Sequence, residues 1–424
     1  MSVHDDGLYP TFYADYASLE ARLEAEQELL FSVLDQEREA LEASGVPAES
    51  KSGSDDEDDE DGEKKVNILF KDPDFKAAGS SLYNNPFQAP RGAMPADMIE
   101  WNRLGKGEVE GMTSPALFGP GVPGVEEVPT TLVHQGALKN CWFIGACAIL
   151  ATKPALVKAL FVSDQQKFGP YAFYTVRFFK CGLPRYVHLD DRIPCTRAGR
   201  PHYARTNEPN EYWLQLVEKA YAKLHGGYEN LTMGALDRGL RDLTGWPTFK
   251  HSIGGEGDDD DELWETLVGY TEQPGSLVSV EYAGEGTPGD GILANHCYAV
   301  LEMKEVSAAA TADFDALDVR MVKLHNPWGM AEWTGDWSTK SELWANYPEI
   351  HEQCHPQPGG AGDGDGKKAK KKKKAKTDFE VAAEAAAAAA ARAKEEASLW
   401  ICWEDLVDHF TIAVAAVNVR GASG

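Results

Sequence analysis

The sequence has little positive charge and no long apolar run. Its 424 residues carry 41 lysines and arginines against 68 aspartates and glutamates, a formal net charge of −27 at pH 7. This surplus of negative charge repels phosphate, so we expect no binding to nucleic acid. The longest apolar stretches, around Cys141 to Ala151 and Phe410 to Val419, are shorter than the roughly 20 residues that a membrane-spanning helix needs.

Paired cysteines and targeting segments are also missing. The seven cysteines are an odd number, and they lack the tight spacing of a zinc site or a disulfide framework. The start of the chain, MSVHDDGLYPTF, is acidic and has no basic region followed by an apolar stretch, which argues against a secretory signal. Together these features predict reduced thiols and a cytoplasmic protein.

The composition changes along the chain and predicts two globular regions with polar segments beside them. Hydrophobic residues make up 43% and charged residues 26%, which is ordinary for a globular protein. The expected parts are a helical segment at 1–46, an acidic disordered linker at 47–66, globular regions at 67–246 and 247–420, and a low-complexity insertion at 356–397 within the second. The run Asp55 to Glu60 repels itself and cannot be buried, which is why we expect the linker to be disordered.

Leucines at helical spacing predict a helix from about Tyr13 to Ala43. One interpretation is a short coiled coil that recruits a partner or a second copy of the chain. Glu26 and Glu37 occupy two positions of the expected seam, however, and this favours a helix that packs loosely or stands alone.

The two globular regions have different patterns. In the first, CWFIGACAIL predicts a helix that ends or kinks at Pro154, YAFYTVRFFKCGLPRYVHLDDRIP predicts two strands around a Gly-Pro turn, and EYWLQLVEKAYAKLHGGY predicts a second helix. The second is rich in strands: LVSVEYA, HCYAVLEMKEV, VRMVKLHNP and FTIAVAAVNV. The aspartates Asp258 to Asp261 precede a helix, where they either cap its start or hold calcium. Helices and strands segregated in this way predict an α+β protein.

Cys141 begins the apolar helix of the first region and is the candidate nucleophile. A helix start favours a thiolate, because the helix dipole and free amide groups stabilise negative charge. Six residues upstream, Gln135 offers a side-chain amide, and Gly136 lets the backbone pass close to a substrate. Gln135 and the Cys141 backbone amide would form a two-donor oxyanion hole. The alternative is that Cys141 is only a small core residue.

A thiol nucleophile needs a base, and His296 is the candidate among eleven histidines. It begins the strand HCYAVLEM directly after a glycine-rich loop, which predicts a position at a sheet rim beside a cleft. Asn326 follows another strand, so its amide carbonyl can accept the ring N–H, and Trp328 would shield that bond from water. The alternative for His296 is a rim histidine bonded to a backbone carbonyl.

The order Gln, Cys, His, Asn with these flanks resembles the calpain family of cysteine proteases. The matching segments are QGALKNCWFIGACAIL, NHCYAV, HNPWGMAEWTGDWS, LFKDPDFKAAGSSLY, DDRIP, NEYWLQLVEKAYAKLHGGYENL, RDLTGW and LWICWEDLVDHF. The resemblance covers about Leu69 to Val419, apart from the insertion. It implies a papain-like α+β core of two subdomains, a helical half with the nucleophile and a β-sheet half with the histidine and asparagine.

The resemblance also implies a role for each matching residue in the limited proteolysis of protein substrates. Cys141 would be the nucleophile, His296 the general acid/base and Asn326 its orienter. Gln135 would be the oxyanion donor. The residues expected beside the substrate are Trp328, as a shield, and Gly234, which would offer its backbone to the substrate strand.

Calcium is the cofactor that the resemblance implies, because calpain cores are usually switched on by calcium bound in each subdomain. The matching acidic residues are Glu211 in the first subdomain and Glu332 and Glu396 in the second. Other acidic positions of the family hold uncharged residues here: Leu132, Thr339 and Ser398. Since the number of charged ligands sets the affinity of a calcium site, we predict little activation by calcium.

Two departures from the family flank the candidate catalytic residues. Lys139 and Asn140 stand where the family usually has Gly-Asp, and Asn295 stands where a glycine usually precedes the histidine. We expect these changes to narrow the cleft. The chain stops at Gly424, where calpains usually continue into further domains.

The sequence leaves other functions open. The lost acidic positions favour a catalytically weak scaffold that binds partners, whereas an acyl transferase would usually have Asp in place of Asn326. The lysine-rich run Lys367 to Lys376 either tethers the protein to an anionic membrane surface or is a solvated insertion without a partner.

Overall fold

The computed structural model describes residues 16–44, 68–119, 132–255, 259–284, 288–329, 333–356 and 397–419. The predicted acidic linker, the run Lys367 to Lys376 and most of the low-complexity insertion lie outside these ranges. None of the helices within them combines the length and the apolar character that crossing a membrane requires.

The first half of the described core is mainly helical and contains one long hairpin. Helix α1 (Tyr16–Ser44) precedes this half in the chain. The helices of the half itself are α2 (Gly79–Leu82), α3 (Cys141–Ala151), α4 (Pro154–Lys158), α5 (Gln165–Phe168), α6 (Trp213–Leu224) and α7 (Leu236–Thr244). The strands are β1 (Glu100–Arg103), β2 (Val133–His134), β3 (Phe173–Lys180), β4 (Leu183–Asp190), β5 (Arg192–Cys195) and β6 (Arg205–Thr206). They pair antiparallel as β1–β5, β2–β6 and β3–β4.

The hairpin turn differs from its prediction. Cys181 and Gly182 form the turn between β3 and β4 with φ of 53° and 77°, and Pro184 lies within β4 rather than in the turn. Positive φ at both central residues matches the right-handed twist of the two strands, which a Gly-Pro turn would not.

Helix α1 docks on this half, so the expectation that it packs loosely or stands alone is wrong. Leu34 joins a buried cluster with Phe70, Phe168 and Phe173, where Phe173 belongs to β3. The side chain of Gln27 donates a hydrogen bond of 3.2 Å to the hydroxyl of Thr175 on the same strand. One face of α1 therefore packs against the core of the same chain.

The second half is built on an antiparallel sheet. The strands are β7 (Thr248–Ser252), β8 (Leu277–Glu281), β9 (Cys297–Ala308), β10 (Leu317–His325), β11 (Ser398–Cys402) and β12 (Ile412–Ala416), and within the described residues their spatial order is β11-β10-β9-β8-β12-β7. The helices are α8 (Asp260–Glu272), α9 (Leu343–Asn346), α10 (Pro348–Cys354) and α11 (Trp403–His409). Asp259 caps α8 by accepting from the amides of Asp261 and Glu262 at 3.0 Å, which confirms the capping interpretation of this acidic run.

The two halves share a core. Helix α3 is buried from Phe143 to Ala151, and it packs in one hydrophobic cluster with Leu277, Cys297 and Val414 from the sheet. Helix α7 approaches α3 closely, because a Cβ atom at Gly239 would lie 2.8 Å from Ala146 Cβ. Helices and antiparallel strands thus occupy separate halves, which is the predicted α+β class, and α3 lies at the seam between them.

Candidate active site

Cys141 is exposed at the first residue of α3, while the rest of that helix runs into the core. The residue before it, Asn140, is buried, and its backbone carbonyl accepts from the amides of Phe143 and Ile144 at 2.9 and 3.1 Å. These bonds start the helix at Cys141. The thiol therefore lies at the positive end of the helix dipole, where a thiolate is stabilised.

The other cysteines occupy different environments. Five are buried, and burial raises the pKa of their thiols: Cys147, Cys195, Cys297, Cys354 and Cys402. Cys181 is exposed, but it lies in the hairpin turn rather than at a helix start. Among the seven thiols, Cys141 alone combines exposure with a helix N-terminus.

His296 and Asn326 lie side by side at the edge of the sheet. His296 immediately precedes β9 and Asn326 follows β10, and the antiparallel pairing of these strands brings the two positions together. His296 Nε2 is 2.8 Å from Asn326 Oδ1, which also accepts the backbone N–H of Trp328 at 3.0 Å. Because this oxygen can only accept, the imidazole proton is on Nε2 and the lone pair is on Nδ1.

The surroundings of His296 keep it neutral. The residue is 4% exposed, and burial lowers its pKa to about 4 even though the hydrogen bond that it donates to Asn326 acts in the opposite direction. A neutral imidazole at pH 7 is able to accept a proton. The ring of Trp328 lies against the imidazole with 4.1 Å between the ring centroids, and Trp328 is itself 44% exposed.

The residue after His296 packs on the helix that Cys141 begins. Cys297, the residue after His296, rests on α3: a Cβ atom at Gly145 would lie 2.4 Å from Cys297 Sγ. Gly145 is one helical turn after Cys141 and on the same face.

A backbone hydrogen bond joins the halves beside this seam. The amide of Val133 in β2 donates to the carbonyl of Pro327 at 2.9 Å. Val133 lies two residues before Gln135, and Pro327 directly follows Asn326. The bond therefore links the loop before the nucleophile to the turn after the asparagine, a contact that no sequence pattern indicates.

Gln135 lies in the loop between β2 and α3. Its Nε2 donates to the carbonyl of Leu138 at 2.5 Å. A primary amide has two N–H groups, so this bond fixes the side chain and leaves a second donor for an oxyanion. Gly136 has a φ of 72°, and a Cβ atom there would lie 2.2 Å from the carbonyl oxygen of Tyr203, so only glycine fits.

Gly234 lies in the exposed loop before α7. A Cβ atom at Gly234 would lie 2.2 Å from the ring of Trp142, the residue after Cys141. The ring is held in place because its Nε1 donates to the carbonyl of Leu231 at 2.9 Å. The backbone of Gly234 thus lies against a side chain next to the candidate nucleophile. Asn295, before His296, has a φ of 53°, a conformation that asparagine tolerates better than most residues.

Of the three predicted calcium ligands, the structure describes Glu211. Glu211 is buried, and its Oε1 accepts the amide of Gly119 at 2.9 Å. Glu332 and Glu396 lie outside the described residues. The described ranges contain no group of three or more His, Cys, Asp or Glu residues arranged to bind a metal.

The sequence matches one family of known proteins over most of its length. The family model for calpain family cysteine proteases matches residues 70–365. Calpain-5 of Mus musculus is 32% identical over 298 residues, which cover 65% of this chain and 43% of the relative. The calpain-type cysteine protease ADL1 of Oryza sativa subsp. japonica is 31% identical over 301 residues, covering 65% of this chain and 12% of the relative. Calpain-12 of Homo sapiens is 30% identical over 297 residues, covering 66% and 36%. The chain spans less than half the length of each of these relatives.

Proposed function

Because the chain belongs to the calpain family of cysteine proteases, we propose that it is an intracellular cysteine endopeptidase that performs limited proteolysis of protein substrates. Cys141, His296 and Asn326 are the proposed triad. The observation that carries the proposal is the 2.8 Å bond from His296 Nε2 to Asn326 Oδ1 at the seam where the exposed Cys141 starts α3.

The reaction follows from these positions. His296 Nδ1 takes the thiol proton of Cys141, and the sulfur attacks the carbonyl carbon of the substrate peptide bond. The oxyanion accepts hydrogen bonds from the Cys141 backbone amide and the Gln135 side chain. When the C–N bond breaks, His296 returns the proton to the leaving amine. Water then hydrolyses the thioester, with His296 as the base, and restores the thiol.

In this proposal, calcium contributes little to the activity. Glu211 is engaged by Gly119, and the described residues form no cation cluster, so we propose that the triad works with little help from calcium. The cytoplasmic location, a partner for α1 and the membrane tether of Lys367 to Lys376 remain predictions.

Proteolysis of an unfolded protein by matched cysteine variants tests the proposal. The wild type and Cys181→Ala are expected to cleave a fluorescently labelled unfolded substrate at similar rates, because Cys181 lies in a distant turn. Cys141→Ala and His296→Ala are expected to lose at least about 10³-fold in kcat. Retained cleavage by Cys141→Ala would contradict the proposal. A folded but inactive wild type would instead support the calpain-like scaffold.

A further inference from the structure

Glu218 of α6 is a buried carboxylate close to the nucleophile that the mechanism above does not use. It is 1% exposed. Its Oε1 accepts from the side-chain Nδ2 of Asn140 at 2.7 Å, and its Oε2 accepts from the backbone amide of Ala204 at 2.9 Å. Each carboxylate oxygen therefore holds a different segment of the chain.

Both segments support the proposed oxyanion donors. Asn140 directly precedes Cys141, whose backbone amide is one donor. Ala204 follows Tyr203, and the carbonyl of Tyr203 lies against Gly136, the residue after the second donor, Gln135. The next amide of that loop, at Ala137, donates to the carbonyl of His202 at 3.0 Å. Glu218 thus joins the start of α3 to the segment on which the Gln135 loop rests.

Burial of this carboxylate is unfavourable for the fold. Its hydrogen-bond partners among the described residues are two neutral N–H groups, and burial raises the pKa of Glu218 to about 7. The titratable groups that face it are Cys147 of α3, Tyr203 and Tyr228, and each has a raised pKa to which the charge of Glu218 contributes. These three groups are neutral near pH 7, so they provide no positive charge. A buried charge without a counter-charge is more easily explained by function than by stability.

We propose that Glu218 is a positioning residue for the oxyanion hole. By accepting one hydrogen bond from each segment, it fixes the backbone amide of Cys141 relative to the side chain of Gln135. This inference rests on the proposed protease function. Small displacements of preorganised donors reduce the stabilisation of the transition state more than they reduce substrate binding, so kcat is the constant that should respond.

The variant Glu218→Gln keeps the shape and removes one acceptor. The oxygen of the glutamine side chain can accept from the backbone amide of Ala204. Its NH2 group then faces the NH2 group of Asn140, and neither group can accept a hydrogen bond. Asn140 Oδ1 has no hydrogen-bond partner among the described residues, so rotation of the Asn140 amide would satisfy the glutamine and leave Asn140 Nδ2 without an acceptor. The double variant Glu218→Gln with Asn140→Asp keeps both bonds without an unpaired donor, because the glutamine donates to the aspartate and accepts from Ala204, and the aspartate has no side-chain N–H group.

The experiment measures kcat, KM and melting temperature for the wild type, the single variant, the double variant and Asp242→Asn. Asp242 is the control: it is a buried carboxylate that accepts from the hydroxyl of Tyr221 at 2.6 Å and pairs with Lys180, and the hydrogen bonds it makes within the described residues go neither to Asn140 nor to the Gln135 loop. Glu218→Gln is expected to lower kcat about tenfold with KM unchanged and with no fall in melting temperature at pH 8. The double variant should recover to within about threefold of the wild type.

A pH profile separates positioning from a structural role. The protonated acid resembles glutamine, so wild-type kcat should fall about tenfold as the pH drops through 7 and then to zero near pH 4, where His296 becomes protonated. For Glu218→Gln, kcat should show only the fall near pH 4.

Unchanged kcat in an otherwise active Glu218→Gln variant would overturn this inference alone. A loss of kcat equal to that in Asp242→Asn, with an equal fall in melting temperature, would also overturn it, because it would show a structural role. An inactive wild type would contradict the proposed function and, with it, this inference.

Discussion

At the residue scale, replacing the asparagine of the proposed triad should lower kcat less than replacing Cys141, which forms a bond to the substrate, or His296, which transfers the proton. Asn326→Ala removes the acceptor that fixes the His296 tautomer and the bond to the Trp328 amide, but it leaves the thiol and the base in place. We expect kcat to fall about 10²-fold, less than in Cys141→Ala or His296→Ala. Steady-state hydrolysis with melting curves checks this. A loss in a folded Asn326→Ala variant as large as that in Cys141→Ala would show that Asn326 has another role.

Sequence analysis identified those site residues whose residue type and order along the chain indicate a catalytic role. His296 and Asn326 each start or follow a predicted strand, so their contact at the edge of the sheet could be expected. Glu218 could not be found in this way, because it reads as one polar position of an amphipathic helix. Its importance comes from two hydrogen bonds to segments that are distant in the chain.

At the element scale, α1 offers a direct comparison between its buried and exposed faces. Leu34 is 7% exposed and packs on Phe70 and Phe173, whereas Leu29 is 56% exposed. Leu34→Ala should lower the free energy of unfolding by about 2 to 3 kcal/mol, since a cavity remains under the helix. Leu29→Ala should change it by less than about 0.5 kcal/mol. Denaturant unfolding measures both, and equal effects would show that α1 does not dock in solution.

Periodicity predicted where most elements lie but not what α1 packs against. The hairpin of β3 and β4 and the helices α3 and α6 follow from alternating and helical patterns. The surface that receives α1 includes Thr175, which is 148 residues from its partner Gln27. Contacts this distant have no local signal, so the charged positions Glu26 and Glu37 led to the wrong expectation of a loosely packed helix.

At the scale of the whole molecule, the two halves already share a core. Leu277 and Cys297 of the sheet pack in one cluster with α3, and Val133 is bonded to Pro327 across the seam. Adding calcium at micromolar levels to chelator-treated protein should change the rate of hydrolysis by less than about twofold, because Glu211 brings too few oxygens. A steep activation curve at micromolar calcium would contradict this prediction.

The central claim is that Cys141 is the nucleophile of a working triad. The most direct test is alkylation with a limiting amount of iodoacetamide at pH 7, followed by mass spectrometry of the peptides and assay of the remaining hydrolysis. A thiol at a helix start beside a histidine should react first. The account predicts that one label per chain appears on Cys141 and that hydrolysis falls in proportion to it. Labelling of Cys181 at an equal rate, or hydrolysis that survives full labelling of Cys141, would contradict the account.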